Sequence, residues 1–123
     1  MLRMGAARPA GLMVLVGLGA CGHHQPRSLG VGDPDRGKDQ IVASGCGSCH
    51  VIPSVPGAVG QVGPPLTHFA KRAYIAGEVP NNGDFLVQWI SVPQSIEPGT
   101  AMPNLGVSNA QARDIAAYLY GLK

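Results

Sequence analysis

The sequence predicts an all-α domain of three to five short helices joined by long loops that wrap a large apolar group. Three observations lead there. The chain has 123 residues, with 18 Gly and 11 Pro but only two Phe, three Tyr and one Trp, so a core made of side chains alone is thin. Domains of this size bury too little surface to be comfortably stable without a supplement. Apolar residues recur at helical spacing between breakers, and no segment alternates convincingly as a strand.

Each element has its own signal. Asp33-Pro34 is a helix opening, with Asp33 as N-cap and Pro34 in the first turn, and Ile41, Val42 and Ala43 give an inward face. A helix is predicted over about 34–45. Residues 51–66 carry Pro53, Pro56, Pro64 and Pro65 among glycines, too many breakers for regular structure. A short second helix is expected over about 66–73, followed by a loop over 76–83. Asp84 is read as the cap of a third helix, 85–91, whose Phe85, Leu86, Trp89 and Ile90 share helical spacing and which Pro93 stops. Ser108 and Gln111 form a capping box for the last helix; Ile115, Leu119 and Leu122 share a face, and Gly121 suits its C-terminal cap.

Three segments are expected. Residues 1–20 read as an export signal, with Arg3 and Arg8 ahead of an apolar run too short and Gly-rich to span a bilayer. The run ends in Leu18-Gly19-Ala20-Cys21, which resembles a bacterial lipobox, where Cys21 carries lipid; an ordinary signal with a stray Cys is the alternative. Residues 21–32 form a tether, and 33–123 the domain. Without Arg3 and Arg8 the remaining Lys and Arg equal the seven acidic residues in number. The exported chain is therefore formally neutral, and no basic and aromatic cluster suggests nucleic-acid binding.

Chemistry concentrates in Cys46-Gly47-Ser48-Cys49-His50. Thiols spaced C-x-x-C can add across the two vinyl groups of haem, and a His directly after the second thiol is placed beneath the iron. A thioredoxin-like pair needs a βαβ context that is not found, and a zinc site needs a second ligand pair that the chain lacks. One covalently attached haem c is the expected cofactor. For the sixth position, Met102 is the only methionine beyond the signal, and Pro98-Gly99-Thr100-Ala101-Met102-Pro103 is a stiff, helix-free loop. Core filling is the alternative use of Met102, and His23, His24 and His68 are the competing ligands.

With these parts in this order, residues 33–123 resemble a class I cytochrome c. The resemblance implies the class I cytochrome c fold, with Gly37 and Ile41 of the first helix crossing Tyr118 and Leu119 of the last; the family's aromatic is Ile41 here. Gly63-Pro64-Pro65-Leu66 resembles the family's G-P-x-L turn, whose proline carbonyl, Pro64 here, accepts the outer-nitrogen proton of His50. A plain tight turn is compatible with the same residues. Arg72 and Thr100 match groups that reach haem propionates, and Trp89 matches a helix position facing the haem near the Met sulfur; surface or core packing is the alternative for all three. The interval from Pro93 to Met102 is also the family's.

With His50 and Met102 as axial ligands the iron has no open position for substrate, so the expected function is single-electron transfer rather than catalysis. The sequence is similar to small oxidase-associated bacterial cytochromes c in Ala73-Tyr74-Ile75-Ala76-Gly77 and over 112–120. Expected partners are redox proteins: a terminal oxidase, a cytochrome bc1-type complex or a periplasmic dehydrogenase. The expected location is the periplasmic side of a bacterial membrane, held there by lipid on Cys21, or else the soluble periplasm. A haem ligand-binding sensor and an electron-transfer subunit of a dehydrogenase are the alternatives.

Overall fold

A computed structural model describes residues 32–123. The segment read as an export signal, Cys21, His23, His24 and the segment read as a tether, as far as residue 31, lie outside the described residues. The first helix, α1, runs Pro34–Ala43. The Asp33 carboxylate accepts from the main-chain N–H of Asp35 at 2.9 Å and of Arg36 at 3.0 Å, which satisfies donors that have no partner within the helix. The helix ends two residues before the predicted boundary, at a Ser44 C-cap, and the chain passes directly into a 3₁₀ turn, Cys46–Ser48.

The helix expected over 66–73 is only a 3₁₀ turn, Phe69–Lys71. His68 sits in the left-handed region at φ 52°, which interrupts a right-handed helix through 66–73. A small hairpin, missed in the sequence, follows. Strands β1 (Tyr74–Ile75) and β2 (Val79–Pro80) pair antiparallel, Tyr74 opposite Pro80 and Ile75 opposite Val79. Two-residue strands are too short to show an alternating pattern. Helix α2 spans Gly83–Ser91. Its N-cap is Asn82, whose side-chain oxygen accepts from the Phe85 N–H at 3.0 Å, and Asp84 lies inside the first turn instead of capping it. Pro93 opens another 3₁₀ turn, Pro93–Ser95, so α2 stops where expected.

Helix α3, Asn109–Gly121, carries the predicted Ser108–Gln111 capping box. Gly121 belongs to the helix itself; the C-cap is Leu122, in extended conformation, so no left-handed glycine is used there. The core lies where α1 and α2 meet α3. Ile41, Leu86, Ala112, Ile115, Ala116 and Leu119 are all buried in it, each large aliphatic contributing about 1.5–3 kcal/mol. The crossing of α1 over α3 is close because Gly37 has no side chain: a Cβ there would lie 2.0 Å from the Asp114 carbonyl oxygen. Ile41, 1% exposed, fills the family's aromatic position without opening that crossing.

A polar lock holds the same junction. Asp114 accepts from the Asp33 N–H at 2.8 Å and from Arg36 Nε and Nη2 at 2.9 and 3.0 Å. The Arg36 guanidinium and the Asp33 N–H hold the Asp114 carboxyl below the usual carboxylate range, and burial opposes them only in part. The fold is thus three helices with long loops and one small two-stranded sheet.

Candidate functional site

The Cys46–His50 segment is a tight turn closed on itself. The Cys46 carbonyl accepts from the N–H of Cys49 at 3.2 Å and of His50 at 3.0 Å, and the Ser48 hydroxyl donates to the Gly45 carbonyl at 2.7 Å. Both thiols are free and partly buried. Burial pushes the Cys46 thiol above its ordinary value, and the neighbouring Cys49 adds to that rise.

The imidazole of His50 is fixed from one side. Its Nδ1 lies 2.7 Å from the Pro64 carbonyl oxygen. A carbonyl only accepts, so Nδ1 carries the proton and Nε2 keeps its lone pair for a metal. Gly63 seats the ring: a Cβ there would come within 2.2 Å of His50 Cε1. The main chain holds the seat in place, with Gly63 N–H donating to the Cys49 carbonyl and Leu66 N–H to the Val51 carbonyl, each at 2.8 Å. The seating role of Gly63 was not read from the sequence; its place directly before Pro64 was the available signal.

Met102 is partly buried in an irregular loop. Its N–H donates to Thr100 Oγ1 at 3.1 Å, and its carbonyl accepts from Gln94 Nε2 at 2.9 Å. Thr100 thereby orients the methionine backbone, and its own O–H proton remains available to a further acceptor. The Gln94 contact comes from the turn after α2, so the interval between Pro93 and Met102 is bridged as well as spanned. Trp89 is partly buried and packs against the core.

The Arg72 guanidinium donates through Nη2 to the Pro65 carbonyl and lies over the Phe69 ring, 5.4 Å from its centroid. His68, the one competing ligand within the described residues, has its Nδ1 2.7 Å from the main-chain oxygen of Lys123. The structure therefore joins Cys46, Cys49, His50 and Pro64 in one unit, sets Arg72 beside it on Pro65, and ties Thr100 to Met102. Two free thiols on one turn, an imidazole with only its inner nitrogen open and a partly buried thioether make a donor set that fits haem c.

Fold and site together define a small haem-binding electron-transfer domain. Residues 34–123 match the family described as cytochrome c, and the chain belongs to it. Its cofactor is covalently attached haem c and its role is electron transfer. Cytochrome c2 of Rhodoblastus acidophilus is 35% identical over 105 residues, covering 75% of this chain and 94% of that protein. Cytochrome c oxidase subunit 2 of Alkalihalophilus pseudofirmus is 34% identical over 90 residues, and its counterpart in Bacillus subtilis 29% over 92. Each of these alignments covers 72% of this chain, but the chain spans only 25% and 26% of those two subunits.

Proposed function

We propose that this cytochrome is a membrane-tethered single-electron carrier of a bacterial respiratory chain. Lipid on Cys21 holds it on the periplasmic face, where it donates to a terminal oxidase or accepts from a cytochrome bc1-type complex or a periplasmic dehydrogenase. The observation that carries the reading is the His50–Pro64 bond, which presets one axial ligand with a single nitrogen free. Cys46 and Cys49 would hold the haem through thioether bonds, and His50 and Met102 would supply the two side-chain ligands to its iron. Bound haem c supplies an iron that gains and loses one electron.

The remaining residues tune that exchange. Pro64 accepts the His50 proton and makes the ring a stronger donor, whereas the Met102 thioether suits the reduced iron and raises the potential. Arg72 and Thr100 would reach the propionates of bound haem, and Trp89 would face it near the Met102 sulfur. Loops 51–66 and 92–107 would exclude water from the haem faces. The relatives named cytochrome c oxidase subunit 2 support an oxidase as partner. A formally neutral exported chain lacks long-range charge steering, and tethering replaces it by raising effective concentration.

Met102→Ala tests the ligand assignment. The oxidised wild type is expected to show a near-infrared sulfur-to-iron charge-transfer band, and the variant to lose the band and have a lower potential. An unchanged band in the variant sinks the assignment. Reduction and reoxidation kinetics in native membranes with candidate oxidases identify the partner.

A further inference from the structure

Asn81 is the one fully buried polar side chain of the hairpin region, at 0% exposed, and it spans three parts of the fold. Its Nδ2 donates to the carbonyls of Phe69 at 3.2 Å and Arg72 at 3.0 Å, and its Oδ1 accepts from the Tyr120 hydroxyl at 2.7 Å. Its own N–H donates to the Ala73 carbonyl at 2.9 Å. The segment it grips, 69–73, has one 3₁₀ turn of its own and is tied to the C-terminus by the Ala70 N–H donating to the Leu122 carbonyl at 3.0 Å; Asn81 adds the bond to the Arg72 carbonyl, at the point where the guanidinium side chain leaves the chain. The Tyr120 ring also meets Phe69 edge-on, with centroids 6.1 Å apart, and Arg72 lies over that Phe69 ring.

We propose that Asn81, held by Tyr120, is a positioning residue for the proximal side of the haem site. It locks Arg72 onto the Pro65 carbonyl, one residue from the carbonyl that His50 engages. The inference rests on the ligation of haem iron by His50 proposed above. A fixed guanidinium beside the His50 support places positive charge near the iron, which favours the reduced state. Releasing Arg72 into water gives up that bias, so the potential falls. A buried amide that merely stabilised the hairpin would change unfolding without moving the potential through Arg72.

The test is a double-mutant cycle on the haem-loaded protein, read as midpoint potential by spectroelectrochemistry. Asn81→Ala removes both donors; Tyr120→Phe removes the hydroxyl while keeping the ring on Phe69; Arg72→Gln removes the charge. Each lowers the potential alone, and the Asn81→Ala and Tyr120→Phe shifts vanish in the Arg72→Gln background. Shifts of equal size in both backgrounds, or wild-type potentials for N81A and Y120F, overturn the proposal. Should Asn81→Ala fail to fold, Tyr120→Phe carries the cycle by itself. The near-infrared band is recorded on the same samples. If the wild type lacks it, the Met102 ligation fails, while vanishing shifts still support Asn81. If the band is present and the shifts persist, Asn81 alone is refuted.

Discussion

Gly37 of α1 rests directly on the Asp114 carbonyl of α3, at a separation that leaves no room for a single methyl group. Both helices carry their buried aliphatics to this crossing, so the two surfaces cannot part locally without unpacking Ile41 and Ile115.

Gly37→Ala therefore forces the helices apart. The expected loss is about 1–3 kcal/mol, the usual size of an overpacking penalty, measured by guanidinium unfolding of the haem-loaded protein. A gain in stability, as expected of Gly→Ala in an open helix, would refute the close crossing.

Asp114 makes stability depend on acid. Its folded pKa is depressed chiefly by the Arg36 hydrogen bond, so its contribution is fully present above the unfolded value of about 3.9 and is lost as pH falls through the lower folded value. Asp114→Asn should flatten the acid limb of a stability-versus-pH curve and leave the neutral-to-alkaline limb parallel to wild type. An unchanged acid limb would show that Asp114 does not drive it.

Gly63→Ala drives a methyl into the His50 ring and breaks its bond to Pro64. With haem attached through Cys46 and Cys49, as proposed, the pyridine haemochrome spectrum should be retained. The imidazole becomes a weaker donor to oxidised iron, and the potential rises. A lost hydrogen bond of ~1 kcal/mol corresponds to a rise on the order of 40 mV for one electron. A fall in potential would contradict the seating role.

Cys21→Ser should move the protein from the membrane fraction to the soluble periplasmic fraction, with its haem spectrum intact. Persistent sedimentation with membranes would exclude lipid on Cys21 as the anchor.

The two outer helices were legible because their signals are local. Asp33-Pro34 and the Ser108–Gln111 box sit within four residues of what they cap. The middle of the chain was harder to read for the opposite reason. Asn81-Asn82-Gly83 looks like a turn, yet Asn82 caps α2, and Asn81 is buried because Tyr120, distant in sequence, closes its bonding. The Cys46–His50 motif was visible as a unit, and the Pro64 carbonyl was implied by the resemblance of Gly63-Pro64-Pro65-Leu66 to the family's turn. What spacing cannot express is steric exclusion at Gly63, or the way Gln94 and Thr100 brace the backbone of Met102.

The lock at Asp114 has a mechanical consequence. Asp33 and Arg36 fasten the first residues of α1 to α3, whereas the Cys46–His50 turn lies beyond the far end of the same helix, about 15 Å away along a ten-residue rod. A pull on the chain ahead of Asp33 is borne by that fastening and shared with the whole helical body. It does not reach the Cys46–His50 turn as local strain, so a load applied ahead of Asp33 leaves the geometry of His50 on Pro64 unchanged.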